Sequence, residues 1–265
     1  MMVKASILNA IRDNSPLVHN ITNYVVMNNT ANALLSVGAS PVMAHSLDEV
    51  EDIISISSSL VINMGTLSEL WVDSMIKVGK KANELKKPIV FDPVGVGASN
   101  YRTKVAKEII EKTCPNVIRG NASEIMVLAQ LSSVTKGVDS TAKTVEALDG
   151  AIQLSKNLNN TVVVSGEIDY VVTGDRVSSV KNGSEIMSRV TGMGCTATSL
   201  IGASVAVEDD IHDAAVFSMA LMGVAGEIAE SKSNGPGSFQ ISFLDTLASV
   251  SSKIITENAR INDQF

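Results

Sequence analysis

Short continuous runs of apolar residues alternate along the chain with longer segments in which apolar residues recur every three or four positions. Such short runs are typical of strands that are buried on both faces, as in a parallel sheet. The predicted strands of this kind are residues 40–44, 60–64, 88–92, 116–119 and 161–165. Their alternation with helical segments predicts an α/β protein with a central, mostly parallel sheet flanked by helices.

The predicted helices carry their apolar residues on one face, which would cover the sheet. In residues 67–86 this face repeats at spacings of four and three and consists of Trp71, Met75, Val78, Ala82 and Leu85. Residues 140–157 are a second predicted helix of this type. An uncharged N-terminal helix is predicted to begin at residues 20–23, because Asn is common at helix caps.

The pattern changes after residue 165. Two β-rich runs, residues 169–173 and 176–180, flank a Gly-Asp turn signal and predict an antiparallel pair. From residue 194 onward the chain is predicted to be entirely helical, and its three segments are residues 194–206, 211–231 and 238–258. Since no linker, repeat or composition shift marks a boundary, residues 1–265 are interpreted as a single domain.

Composition and charge exclude several classes of protein. Hydrophobic residues make up 45% of the chain and charged residues 18%, which is the opposite of a disordered composition. The net charge of −7 argues against binding to nucleic acid or to an anionic membrane. Residues 14–47 and 190–207 lack charge, but their Asn, Gly, Ser and Thr content makes both poor membrane spans. The N-terminus is too polar for a signal peptide, so a cytoplasmic protein is expected.

Polar residues cluster where the predicted parallel strands end, which is where open α/β sheets bind ligands. Asp92 follows a buried strand, and its carboxylate suits either Mg²⁺ or the capping of the next segment. Asn121 and Glu124 have the spacing of a helix capping box. Their position next to Arg119 also fits a role in binding phosphate and metal.

A Gly-x-Gly sequence opens the long apolar segment near residue 194. Glycines let backbone amides converge on an anion, and a helix N-terminus adds its positive dipole. This motif predicts an anion hole formed by Gly192, Met193, Gly194 and Cys195. A glycine-rich turn before a buried helix would have the same sequence.

Four motifs taken together resemble those of the hydroxyethylthiazole kinase family: HNITNYVVMNNTANALLSVGASPVMA, FDPVGVGAS, VIRGNASEI and VTGMGCTATSLIGA. The resemblance runs from about residue 7 to the last helix. It implies a ribokinase-like fold without a separate lid domain. It also implies ATP-dependent phosphorylation of the hydroxyl of 4-methyl-5-(2-hydroxyethyl)thiazole, a salvage step toward thiamine, in a homotrimer with active sites at the subunit interfaces.

The resemblance further assigns expected roles to individual residues. It implies that Asn23, Met43 and Gly192 contact the thiazole and that Arg119 and Ser165 contact ATP. It implies Mg²⁺ near Asp92 and Glu124. Ser165 stands where many relatives have Thr, so the hydroxyl is kept.

Cys195 occupies the position at which the wider superfamily usually has an Asp that acts as the base. Only a few per cent of an ordinary thiol is ionised at neutral pH, so strong base catalysis is not expected. A helix N-terminus would lower the pKa of the Cys195 thiol, whereas a nearby triphosphate would raise it. The hypothesis is therefore that Cys195 orients the hydroxyl and accepts its proton late, while amides, Mg²⁺ and Arg119 stabilise the transferred phosphoryl group.

Three alternatives stay open on the sequence alone. The first is a kinase of the same fold that acts on another small heteroaromatic alcohol, such as a hydroxymethylpyrimidine. The second is a nucleotide-responsive binding protein without catalytic activity. The third is an ATP-dependent dehydratase of the same superfamily that acts on a hydrated nicotinamide cofactor.

Overall fold

The computed structural model describes residues 3–132 and 145–263. Its strands are β1 (Leu17–Ile21), β2 (Ser40–Val42), β3 (Ser59–Asn63), β4 (Ile89–Asp92), β5 (Val117–Asn121), β6 (Thr161–Ser165), β7 (Asp169–Thr173), β8 (Arg176–Val180) and β9 (Ile261–Asp263). Its helices are α1 (Ser6–Asn14), α2 (Met27–Val37), α3 (Val50–Ile56), α4 (Glu69–Glu84), α5 (Asn100–Thr113), α6 (Ala122–Ser132), α7 (Val145–Leu158), α8 (Met193–Val205), α9 (Ile211–Ser231), α10 (Pro236–Ser249) and α11 (Ser252–Asn258). A short 3-10 helix, Glu185–Arg189, precedes α8.

The described strands form one sheet in the order β2-β1-β3-β4-β5-β6-β7-β8-β9. All pairings from β2 to β6 are parallel, whereas β7, β8 and β9 each run antiparallel to the preceding strand. The prediction of an α/β protein with a mostly parallel sheet and an antiparallel edge is therefore confirmed. The interpretation of residues 1–265 as one domain stays a prediction.

The central strands are buried on both faces because each face packs against its own set of helices. In β3, Leu60 and Ile62 belong to one hydrophobic core and Val61 to the other, as the alternation of side chains along a strand requires. One core contains residues of α1, α2 and α8 to α11, and the other contains residues of α3 to α7. Four residues of the predicted apolar face of α4 are buried, whereas Leu85 follows the last helical residue and is exposed.

The predicted helix start at residues 20–23 is wrong. Asn20 and Ile21 belong to β1, which pairs with both β2 and β3, and α2 begins only at Met27. The buried Asn20 amide is compatible with a central strand because it donates to the Val18 carbonyl and accepts from the Ser199 hydroxyl. Internal hydrogen bonds thus replace the water that a polar strand residue would otherwise require.

The C-terminal prediction also needs correction. The segment 238–258 is two helices, because Val250 adopts an extended conformation and the Ser251 hydroxyl caps α11. The chain then returns to the sheet as β9, so it is not entirely helical after residue 194. For the predicted helix 140–157, residues 145–158 are helical and the earlier part lies outside the described residues.

One described helix, α9, is long and apolar enough to cross a membrane by length and composition. However, 78% of its 18-residue apolar window is buried inside the protein, where it packs against α8 and α10. This is the pattern of a core helix in a globular protein.

Candidate active site

The carboxyl ends of the parallel strands place the candidate residues along one edge of the sheet. Asn23 follows β1 by two residues, Asp92 is the last residue of β4, and Ser165 is the last residue of β6. Arg119 lies within β5. The N-terminus of α8 lies at the same edge, since Thr198 of this helix contacts Asp92.

A chain of hydrogen bonds joins the side chains at this edge. Asn23 Nδ2 donates to Asn63 Oδ1 at 2.8 Å, and Asn63 Nδ2 donates to Asp92 Oδ2 at 3.0 Å. The Thr198 hydroxyl also donates to Asp92 Oδ2, at 2.7 Å. Asn23 Nδ2 lies 3.6 Å from Cys195 Sγ, so Cys195 is connected to Asp92 through two amides. Neither Asn63 nor Thr198 is assigned a role from the sequence.

Asp92 is the most buried carboxylate of the site, with 1% of its surface exposed. Burial raises the pKa of Asp92 to about 6, although the nearby Arg119 guanidinium opposes this shift. Arg119 Nη1 is 3.9 Å from Asp92 Oδ2. Asp92 Oδ1 is buried and has no hydrogen-bond partner among the described residues. A buried carboxylate oxygen without a partner is unfavourable unless a ligand satisfies it.

Arg119 connects β5 to β6 and to α8. Its Nη2 donates to the Ser165 hydroxyl at 2.7 Å. Its guanidinium lies directly over Gly194, since a Cβ atom on that residue would be 2.6 Å from Nη1. Only a glycine at this position leaves room for the arginine. The structure therefore brings together the two predicted ATP-binding residues and the predicted anion hole.

The predicted anion hole lies at the N-terminus of α8. Gly192 precedes α8 with φ of +88°, a conformation that favours glycine. The Thr196 amide donates to the Gly192 carbonyl at 2.8 Å. The amides of Met193, Gly194 and Cys195 come before this first bond and are free to bind an anion.

The Cys195 thiol is neutral in this environment. Burial and the Asp92 charge raise the pKa of Cys195 to about 11, outweighing the amides of Asn63 and Asn23 and the charge of Arg119, which lower it. The helix N-terminus is expected to lower the pKa of the thiol, but burial and the Asp92 charge have the larger effect. This agrees with the expectation that Cys195 is not a strong base at neutral pH.

Glu124 joins the loop after β4 to the start of α6. Its Oε2 accepts from the Asn121 amide at 2.8 Å, and Asn121 Oδ1 accepts from the Glu124 amide at 3.0 Å, which confirms the predicted capping box. Its Oε1 accepts from the Gly95 amide at 2.8 Å. The carboxylate thereby fixes the loop after β4 against the start of α6.

Arg102, which no sequence motif singled out, fixes the neighbouring loops. Its guanidinium donates to the carbonyls of Met64 and Val94, each at 2.7 Å, and of Gly65 at 2.8 Å. The loops that follow β3 and β4 are therefore tied together. No sequence signal marks such a role, because the partners are backbone carbonyls that only the fold brings close.

A cavity of about 900 Å³ opens beside this edge. Its lining includes Arg119, Ser165 and Gly194, residues of the segment 182–188, and residues of α9. Asp169, a second buried carboxylate, also lines the cavity and accepts from the Gly166 amide at 3.0 Å. Burial raises the pKa of Asp169 to about 6. The volume suits a ligand larger than a single heteroaromatic ring.

Met43 lies apart from this cavity. It directly follows β2, and three strands separate β2 from β5. Its side chain is partly buried. The structure thus separates the candidate residues into a group around Arg119 and a group toward β1 and β2, with the start of α8 between them.

Comparison with known proteins gives the family. A model of the hydroxyethylthiazole kinase family matches residues 8–253. The chain belongs to this family. A hydroxyethylthiazole kinase of Leptospira biflexa serovar Patoc is 51% identical over 250 residues, covering 94% of both chains. One of Nitratidesulfovibrio vulgaris strain DP4 is 52% identical over 241 residues, covering 91% of this chain and 90% of the relative.

Solved structures support the same assignment. The hydroxyethylthiazole kinase protein of Pyrococcus horikoshii OT3 superposes with a TM-score of 0.92 at 41% identity, covering 98% of both chains. A pyridoxal kinase of Bacillus subtilis, solved as an ADP complex, has a TM-score of 0.60 at 13% identity and covers 79% of this chain and 91% of that one. The second likeness concerns the fold alone. As a hydroxyethylthiazole kinase family member, the chain has the ribokinase-like fold.

Proposed function

We propose that this protein transfers the terminal phosphoryl group of ATP to the hydroxyl of 4-methyl-5-(2-hydroxyethyl)thiazole. The observation that carries the proposal is the anion hole at the start of α8, which lies against Arg119 on one side and against Asn23 on the other. A phosphoryl group bound there would lie between a nucleotide on the Arg119 side and an alcohol on the Asn23 side. The names of the relatives support the choice of alcohol.

ATP occupies the cavity next to β5 and β6 in this proposal. Its phosphates lie at the end formed by Arg119, Ser165 and the amides of Gly194 and Cys195, because this end offers the positive charge and the donors. The adenine base then lies toward Met219 of α9, which also lines the cavity. This arrangement explains how a chain with a net charge of −7 binds a polyanion.

The thiazole binds on the opposite side of the α8 start, near Asn23, Met43 and Gly192. This region contains no charged side chain between residues 14 and 47, which suits a neutral heteroaromatic ring. Asn23 is buried, and its amide is fixed by Asn63, so it can orient a polar atom of the substrate. The substrate hydroxyl lies close to Cys195.

The residues present fit a magnesium ion. Asp92 Oδ1 is a buried carboxylate oxygen without a partner among the described residues, and Mg²⁺ prefers oxygen ligands. No group of three or more His, Cys, Asp or Glu that could hold a metal ion occurs in the described part of the chain, so phosphates and water would have to supply the remaining ligands. Asp92 and Glu124 would hold the ion. When bound, Mg²⁺ neutralises charge on the phosphate groups.

The chain's own residues orient the reactants and stabilise charge. The Gly192–Cys195 amides and Arg119 stabilise the negative charge on the phosphoryl group during transfer. Cys195, a neutral thiol, orients the hydroxyl but cannot itself take its proton, because the thiol would first have to lose its own. Phosphoryl transfer through a loose transition state requires little early proton removal. The proton therefore leaves late, when the new phosphate ester bond has largely formed, and passes to an oxygen of the transferred phosphoryl group.

Assembly into a homotrimer with active sites at its subunit interfaces is also part of the proposal. The residues next to Asn23 form an exposed apolar patch: Tyr24, Val25 and Leu70 expose 68%, 62% and 67% of their surface. The Tyr24 ring lies 4.7 Å from the Trp71 ring. An apolar patch at the mouth of a site is suited to contact with another subunit. Light scattering should give about three times the chain mass of 27.9 kDa, and a monomer would contradict the trimer.

Phosphorus NMR of the protein incubated with Mg-ATP and the thiazole alcohol tests the main proposal. A new phosphomonoester signal together with ADP is the expected result. If a hydroxymethylpyrimidine gives the phosphomonoester and the thiazole does not, the protein is a kinase for the other alcohol. ADP without a phosphomonoester would instead support hydrolysis or the dehydratase. No consumption of ATP would support a binding protein. A location in the cytoplasm stays a prediction.

A further inference from the structure

One wall of the proposed nucleotide cavity is the loop of residues 182–184, which leaves β8 and leads into the 3-10 helix. It lines the same cavity as Arg119 and Ser165. A loop would ordinarily adapt to its ligand, but this one is fixed from behind by α9 and by the C-terminal segment.

Two glycines of α9 bring the loop close to the helix. A Cβ atom on Gly223 would lie 2.4 Å from Asn182 Cβ and 2.6 Å from the Asn182 carbonyl carbon. A Cβ atom on Gly226 would lie 2.4 Å from Met187 Sδ. The loop backbone at Asn182 therefore packs directly on α9 at Gly223, and the Met187 side chain of the 3-10 helix packs on it at Gly226, because neither position of α9 carries a side chain.

One carboxylate of α9 fixes the polar groups of the loop. Glu227 Oε1 accepts from the Gly183 amide at 2.8 Å and from Asn182 Nδ2 at 3.2 Å. Asn182 Nδ2 also donates to the Asn258 carbonyl at 2.9 Å, and Asn182 Oδ1 accepts from the Arg260 amide at 2.7 Å. Asn182 is 5% exposed, so the bonds made by its own side chain are largely shielded from water.

Arg260, just before β9, completes the arrangement. Its Nη2 and Nη1 donate to Glu227 Oε1 and Oε2 at 2.5 and 3.2 Å, and Nη2 also donates to the Lys181 carbonyl at 2.8 Å. Burial opposes ionisation of Glu227, but the hydrogen bonds from Arg260 and the Gly183 amide hold its pKa below the ordinary value. A two-point bond of this kind fixes direction as well as distance.

We propose that Glu227 and Arg260 are positioning residues for the nucleotide, which hold the 182–184 wall at the distance that the base end of ATP requires. The inference rests on the proposed function. Neither residue lines the cavity, so each acts through Asn182 and Gly183. The C-terminal strand β9 is thereby linked to nucleotide affinity and not to the alcohol site, which lies beyond the start of α8.

The Arg260→Ala variant tests this proposal. We expect KM for ATP to rise about five- to tenfold, while kcat and KM for the thiazole alcohol change less than about twofold. The Kd for ADP alone, measured by isothermal titration calorimetry, should rise by the same factor. Arg260→Lys keeps the charge but loses the two-point geometry, and is expected to recover part of the affinity.

Lys253→Ala is the matched control. Lys253 is a basic residue of α11 that pairs with Glu257 at 3.8 Å and is 81% exposed, so both KM values should stay unchanged. Glu227→Gln is the second variant in case Arg260→Ala misfolds. It retains an acceptor for the Gly183 amide and should weaken ADP binding less than Glu227→Ala does.

Two results would overturn the proposal: an unchanged Kd for ADP in both Arg260→Ala and Glu227→Ala, or an equal rise in KM for both substrates. A wild-type protein that does not bind ADP would overturn it as well. If the wild type binds ADP but phosphorylates no thiazole, the proposed function fails, whereas the positioning role is still judged by the Kd values.

Discussion

At the scale of single residues, the site is defined by a contrast between Asp92 and Cys195. Both are partners of the Asn23–Asn63 amide pair, yet burial gives the carboxyl a pKa of about 6 and the thiol one of about 11. At neutral pH the first is mainly charged and the second is neutral. The residue nearest to the proposed alcohol therefore cannot be the source of most of the rate.

Replacement of Cys195 tests this conclusion. Cys195→Ser should lose less than about 100-fold in kcat, because removal of a true general base costs roughly 10²- to 10⁴-fold. Cys195→Asp should turn over at least as fast as the wild type. The measurement is kcat with saturating ATP and thiazole, alongside the Kd for thiazole. Loss of all turnover in Cys195→Ser with an unchanged Kd would make Cys195 the base.

Gly194→Ala should displace Arg119. The added methyl group would lie 2.6 Å from Nη1 and 3.1 Å from Nη2, so the guanidinium must shift away from Ser165. We expect kcat/KM for ATP to fall about tenfold or more, which corresponds to about 1.4 kcal/mol of transition-state stabilisation. Gly237→Ala is the control, since no atom lies within 4 Å of its Cβ position. Equal kinetics for the two variants would place Arg119 outside the site.

At the scale of elements, α9 is joined to the antiparallel part of the sheet by a buried histidine. His212 Nδ1 lies 2.9 Å from the Thr173 hydroxyl and Nε2 lies 2.9 Å from the Ser178 hydroxyl. Burial, reinforced by the charge of Arg176, lowers the pKa of His212 to about 4, although Asp210 and Asp263 oppose the shift. The folded protein thus holds a neutral imidazole where the unfolded chain would hold a charged one.

Stability should therefore fall with acid at this contact. The pKa of His212 is near 6.5 in the unfolded chain and about 4 in the folded one, so between these values only the unfolded state binds the proton. This lowers the free energy of unfolding by about 1.4 kcal/mol for each pH unit as the pH falls from 6.5 to 4.

Urea denaturation of the wild type and of His212→Gln, from pH 7.5 to 4.5, checks this prediction. The difference between the two free energies of unfolding is the relevant quantity, because Asp92 and Asp169 have raised pKa values and favour the folded state in acid. We expect the advantage of the wild type to shrink as the pH falls. A difference that does not change with pH would show that His212 does not titrate in this way.

The sequence predicts an element well when local hydrophobicity determines it. It predicts an element poorly when the element depends on hydrogen bonds to residues that are distant in sequence. Residues 60–64 and 161–165 are apolar runs, and their strands follow from hydrophobicity alone. Strand β1 was missed because its His19 and Asn20 are satisfied by the Ala44 carbonyl and by Ser199, which are distant in sequence. Strand β9 has the sequence Ile-Asn-Asp and exists only through its pairing with β8.

The same distinction applies to the candidate site. Asp92, Glu124 and the glycines of residues 192–194 stand at positions that a parallel sheet converts into a site, so the sequence could predict them. Thr198 and Asn63 act through a contact with Asp92, 106 and 29 positions away. Only the packing of α8 over the sheet reveals these contacts.

At the scale of the whole molecule, both edges of the sheet carry exposed apolar residues, but only one edge carries the candidate active site. Leu70 begins α4 just after β3 and therefore lies at the carboxyl edge, near Tyr24 and Val25. Ile56 ends α3 just before β3 and lies at the amino edge. Both are largely exposed, at 67% and 71%. Only the carboxyl edge combines exposed apolar residues with the candidate active site, so this is where subunit contact would affect catalysis.

Charge placed on the two edges should thus have different effects. Leu70→Arg is expected to dissociate the proposed trimer and to lower kcat/KM for the thiazole alcohol at least about tenfold, because burying an unpaired charge at an interface is strongly unfavourable. Ile56→Arg should leave both mass and activity unchanged. Light scattering of each variant, with kinetics on the same samples, makes the comparison. A Leu70→Arg protein of wild-type mass and wild-type activity would show that the carboxyl edge is not an interface, and the proposed site would then lie within one chain.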